Sequence, residues 1–121
     1  MKPLLAKDLP NFTSRFGNFV DAEIRSVEVI SATIIQVIIA CQDSARGFDW
    51  LTLNFEFSAV SDARLLDNSK LNLVDMSEGI SLINEDNYFA FAIGDYHNLS
   101  GIKNATSYII SSSIKYEEGQ F

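Results

Sequence analysis

Trp50-Leu51-Thr52-Leu53-Asn54-Phe55-Glu56-Phe57-Ser58-Ala59 alternates apolar and polar side chains without a break. Neighbouring side chains of a strand point to opposite faces, so Leu51, Leu53, Phe55, Phe57 and Ala59 face a core. Thr52, Asn54, Glu56 and Ser58 then face water. A strand with one dry and one wet face belongs in an antiparallel sheet. Upstream, across the polar loop 43–49, Thr33-Ile34-Ile35-Gln36-Val37-Ile38-Ile39-Ala40 is apolar on both phases. This predicts a central strand covered on both faces, or one buried in a dimer contact.

Further upstream, Ala22 to Ile30 is rich in β-branched residues. Its apolar phase slips near Arg25-Ser26, which predicts a bulge there. Ser31-Ala32 is a short link. Phe12 and Phe16 are four residues apart, Pro10 suits a first turn and Gly17-Asn18 a stop, so a short helix is expected at 11–16. Downstream, residues 60–83 are expected to form short strands between turns at Asp67-Asn68-Ser69 and Glu78-Gly79. Ile80–Ile83 and Tyr88–Ile93 flank a turn at 84–87 and predict a hairpin. Residues 94–104 are expected to form the longest loop. Residues 105–116 are expected to form a closing strand with Tyr108, Ile110, Ser112, Ile114 and Tyr116 on one face. No segment supplies the helical crossovers of a parallel sheet. The expected fold is all-β: an antiparallel sandwich or flattened barrel of about seven or eight strands with a minor N-terminal helix. It would form one domain over 1–121, with an arm at 1–19, a β core at 20–116 and a loose tail at 117–121.

The chain has 121 residues, of which 16 are acidic and 9 are Lys or Arg, for a net charge of −7. The basic residues are scattered, which argues against a nucleic-acid partner or an anionic membrane. The opening Met1–Asp8 lacks the apolar core of a secretory signal. The stretch 27–41 is interrupted and shorter than the ~20 residues of a membrane helix. A single cysteine, Cys41, fits a reducing compartment, and a cytoplasmic location is expected.

Few residues offer chemistry. His97 is the only histidine, and Asp95 two positions earlier invites a metal or general-base reading. A site needs convergent partners, however, and a metal normally needs three or four ligands. Cys41 lies among aliphatic residues and reads as core. No serine sits in a nucleophile elbow, and no glycine-rich phosphate loop occurs. The expectation is therefore a chain with no enzyme activity, no cofactor and no metal. Acids concentrate instead in one window. Asp62, Asp67, Asp75, Glu78, Glu85, Asp86 and Asp95 face only Arg64 and Lys70, a local charge of −5. The first six are the candidate contacts for a basic protein partner. Phe48, Trp50 and Tyr96, with Phe121, lie in or beside loops and are candidate exposed contacts.

Phe19-Val20-Asp21-Ala22-Glu23-Ile24 and Phe57-Ser58-Ala59-Val60 resemble a pattern in small bacterial all-β families of unknown function. Those families open on an aromatic residue, often a histidine, then Asp-Ala-x-Leu/Ile, and later carry Phe-x-x-Val. Some are proposed immunity proteins that neutralise partner toxins. Val20 stands here in place of the histidine, so a role resting on it does not transfer. The resemblance implies a protein-binding module of the immunity or inhibitor kind. Two other readings fit the sequence: an apolar small-molecule carrier with ligand between the Phe-bearing faces, and a homo-oligomeric structural module, such as a homodimer, built on an apolar strand.

Overall fold

The alternation around Phe55 lies within the longest strand. The computed structural model describes residues 1–121. The chain runs through β1 (Lys2–Pro3), helix α1 (Leu9–Arg15), β2 (Glu23–Ser31), β3 (Ile34–Asp43), β4 (Asp49–Arg64), β5 (Ile80–Glu85), β6 (Tyr88–Ile93), the helical turn α2 (Leu99–Ile102) and β7 (Tyr108–Gln120). The seven strands pair antiparallel in one sheet of order β2-β3-β4-β7-β6-β5, with β1 beside the C-terminal half of β7. The fold is all-β, and the sheet is not closed into a barrel.

The two longest strands change face midway. Leu51, Leu53, Phe55 and Phe57 are buried on the core side of β4. Ala59 breaks the alternation: its φ of 54° is left-handed and its side chain is exposed, not in the core as expected. The register sets Ser58 against Ser113 and Val60 against Ser111, so β7 passes Ala59 at Ser112. There β7 switches phase as well. Ile109 and Ile114, of opposite parity, both enter the main core, whereas Tyr108 and Ile110 join a second cluster with Ala90, Ala92, Ile102 and Ala105. The expected common face for Tyr108, Ile110, Ile114 and Tyr116 is therefore split at this kink.

The kink bends the sheet around its N-terminal segment. The 3-10 turn Gly17–Phe19 lies close to both β3 and β5. Four strand spacings separate those strands, about 19 Å in a flat sheet. Helix α1 begins with Pro10 in its first turn and spans Leu9–Arg15, somewhat earlier than residues 11–16. It buries Leu9 and Phe12 on the concave face. Phe12 packs edge-on to Phe16, Phe55 and Tyr116, with ring centroids 5.1, 6.1 and 4.9 Å apart. Phe19 is wholly buried although its φ is 61°. Its ring stacks on Phe16 at 5.7 Å and meets Phe55 at 6.3 Å. That burial offsets a conformation unfavourable for a bulky residue.

Other expectations are revised. The bulge in β2 is present, as a register shift between Ile24 and Ser26. In β3, Ile35, Val37, Ile39 and Cys41 enter the core. Ile34, Gln36 and Ile38 on the other face are only half-buried, and of that row only the small Ala40 is wholly buried, so no second layer covers the length of that face. Residues 60–83 hold no run of short strands: β4 continues to Arg64, and a 3-10 segment, Asn68–Leu73, leads to β5. The loop after Gly94 contains α2, which buries Ile102. The tail is not loose, because β7 extends to Gln120 and pairs it with Leu51.

Candidate functional site

Apart from the two-residue β1 beside β7, the sheet ends in two edges, β2 and β5, and the chain treats them differently. An exposed edge offers unpaired N–H and C=O groups to any passing strand. β2 carries two register shifts and the charges Glu23, Arg25 and Glu28. Its centre is capped by a side chain: the Val27 N–H donates to Asn68 Oδ1 at 2.9 Å, and Asn68 Nδ2 donates to the Val27 carbonyl at 3.0 Å. Asn68 thus occupies the place of a neighbouring strand. β5, Ile80-Ser81-Leu82-Ile83-Asn84-Glu85, has no bulge, proline or lysine.

The register shows which β5 groups are free. The Gly94 N–H donates to the Gly79 carbonyl, and Gly79–Gly94 continues the β5–β6 register. Hydrogen-bonded and non-bonded pairs alternate along an antiparallel ladder, so Ser81, Ile83 and Glu85 bond across to β6. The Ile93 N–H, turned the other way, donates to Ser107 at the start of β7, consistent with this phase. Ile80, Leu82 and Asn84 therefore direct their backbone groups outward.

A groove runs along that outward side. A cleft of about 470 Å3 is lined by Thr13, Asn18 and Val20, by Ile80–Ile83, and by Glu78, Asp95, Tyr96 and His97. A second cleft of about 310 Å3 continues it past Leu82 and Asn84 under Ala6, Leu9, Pro10 and Thr13. One wall is the N-terminal arm and α1. The other is the loop after β6, held down by Ser81: its Oγ donates to the Gly94 carbonyl at 2.7 Å and accepts the Tyr96 N–H at 2.9 Å. No lysine or arginine lines either cleft.

The six candidate acids do not form one cluster. Four are engaged locally. Asp62 accepts the Tyr108 hydroxyl at 3.0 Å, and burial, helped by that carboxylate, pushes the phenol up. Asp67 and Asp75 accept the Ser69 and Ser77 N–H groups, which hold them below the usual carboxylate range. Glu85 accepts the Leu99 N–H at 3.3 Å. Glu78 lines the groove at one end of β5, while Asp86 sits in the tight turn at the other. Asp95, outside the six, joins Glu78 at the groove. Its partner His97 is 84 % exposed, with Nε2 3.7 Å from Asp95 Oδ1, too long for a hydrogen bond. No group of three His, Cys, Asp or Glu is placed to hold a metal.

Tyr96 is half-buried at the groove. Phe48 and Trp50 are exposed at the opposite end of the molecule's long strands, where Trp50 meets Phe121 at 5.5 Å and Arg25 covers Phe121 at 4.6 Å. Phe55, Phe57 and Phe91 pack on one another, with centroids 5.3–6.4 Å apart, and line none of the clefts described above.

Sequence reading missed one polar centre. Arg15 at the end of α1 donates through Nε and a terminal nitrogen to the two oxygens of Asp43, at 2.9 and 2.7 Å. Asp43 is wholly buried and also accepts the Ala45 N–H, and Arg15 pairs with Glu118. The Arg15 guanidinium draws the Asp43 carboxyl below its ordinary range, against the opposing effect of burial. Cys41, nearby in β3, is pushed up to about 12, mainly by burial. This cluster ties α1 to the ends of β3 and β7, fixing the helix that walls the groove. The chain matches no known protein family, no curated protein and no solved structure.

Proposed function

We propose that the chain is a non-catalytic binding module for a protein with a basic surface, acting by occlusion as an immunity-type inhibitor does. The observation that carries this reading is a groove flanked by Glu78 and Asp95, with Glu85 and Asp86 at its far end and no cation in its lining, in a chain of net charge −7. Opposite charge raises the encounter rate and selects partners, and salt weakens it. No helix is long and apolar enough to cross a membrane. The lone buried Cys41 supports a reducing, cytoplasmic setting.

The test is affinity capture from the source-cell lysate with the wild-type chain and with Glu78→Lys/Asp95→Lys. The expected result is one basic protein, retained stoichiometrically at low salt, released as salt rises and lost with the double variant. Empty captures at low ionic strength, or a partner indifferent to the reversal, would overturn the reading.

A further inference from the structure

We infer that β5 is a strand-docking edge: the partner contributes an extended segment of alternating apolar and basic residues that adds to the sheet beside Ile80–Asn84. This deepens the proposed binding role and rests on it. The two edges carry the inference. In β2 the bulges, the charges and the Asn68 amide close the backbone to a newcomer. In β5 three residues present free backbone groups along a regular, unbulged strand, and a groove follows them from Glu78 to Asn84. Main-chain bonds supply affinity in strand addition, and side-chain pockets on alternate sides supply selectivity.

The walls specify the newcomer's side chains. Ile80 and Leu82 face the main core, and the wall on their side is Ala6, Leu9, Pro10 and Thr13. Residues of the incoming strand turned that way are apolar. Ser81, Ile83 and Glu85 point to the other face, towards Asp95 and the α2 loop. Residues turned that way are basic. Three outward residues span five positions, about 14 Å from first to last, so the docked segment has about five residues. A second copy of the chain fits poorly, because antiparallel pairing of β5 with β5 about Leu82 would set Glu78 of each copy against Asp86 of the other.

The probe is the peptide acetyl-Val-Lys-Val-Lys-Val-Lys-Val-amide, titrated at millimolar concentration into the full chain with amide hydrogen exchange as readout. Binding is expected to slow exchange at Ile80, Leu82 and Asn84 by about tenfold or more, leaving Ser81, Ile83 and Glu85 unchanged. Two N-methylated versions decide the mode, one blocked at every valine amide and one at every lysine amide. A strand uses only one of its edges, so one version loses binding and the other keeps it. Asn84→Pro removes an outward N–H and leaves the β6 ladder whole. Because it also removes the Asn84 Nδ2 bond to the Tyr88 carbonyl, Asn84→Ala is its reference: relative to that variant, the proline is expected to weaken the peptide about tenfold at an equal melting temperature. Equal binding by both methylated peptides, protection elsewhere or no binding would overturn strand docking while leaving the basic-partner reading to its own test. Equal binding of the version with glutamate in place of lysine would overturn the basic partner and leave strand docking standing. Concentration-dependent dimers formed through β5 would overturn the assignment of the occupant.

Discussion

Arg15 keeps 29 % of its side chain in solvent, while its partner Asp43 has none. That asymmetry decides what each substitution does. Arg15→Met leaves a buried carboxylate with the Ala45 N–H and the more distant Arg46. The expected loss is about 3 kcal/mol in urea unfolding, well above that of an exposed pair. The pH dependence has a definite sign. The folded pKa of Asp43 is lowered, so its contribution is complete above about pH 4, where the unfolded carboxyl is ionised. It disappears as pH falls through the folded value. Stability measured between pH 6 and pH 2 is therefore expected to fall less in Arg15→Met than in the wild type. Cys41 behaves as an apolar side chain. With its thiol raised to about 12, it is expected to resist a disulfide reagent at pH 8 until urea unfolds the chain. The core role of Cys41 was legible from its aliphatic neighbours. The Arg15–Asp43 pair was not, because two charges 28 positions apart share no local pattern.

At the scale of elements, the 3-10 turn Gly17–Phe19 and the start of β5 are fitted to each other. Gly79 has φ 74°, and a Cβ there would lie 2.1 Å from the Asn18 carbonyl oxygen. Gly79→Ala therefore has to move either the turn or the strand. The expected cost exceeds about 2 kcal/mol, with the largest rise in hydrogen exchange in β5 and in residues 17–21. What periodicity could show at this scale was the strand with a single wet face, the hairpin and the β2 bulge. The kink at Ala59 and Ser112 was hidden, because Ala59 continues the apolar phase in composition while its backbone leaves it. The ladder into the tail was hidden too: Glu117-Glu118-Gly119-Gln120 has no strand preference of its own and is held by its register with β4.

For the molecule as a whole, the alternation of apolar residues settled the fold class, because too little helical periodicity exists to build anything but antiparallel sheet. Composition did not reveal strand order, and strand order is what leaves β5 outermost. The candidate groove therefore could not be read from the sequence, although Glu78, Glu85 and Asp86 were singled out as charge. The Asn68 clamp has its own consequence at this scale. A body with a single adhesive side can couple to one neighbour and then stop, whereas a body with two unlike adhesive sides can lengthen without limit. Asn68→Ala uncovers Val27 at the far end of the sheet from β5. Its expected phenotype is faster amide exchange at Val27 and, in concentrated solution, head-to-tail fibres that bind thioflavin, while the unaltered chain stays clear. One amide side chain on a 3-10 turn then guards the middle of an edge whose ends are held by bulges and charges.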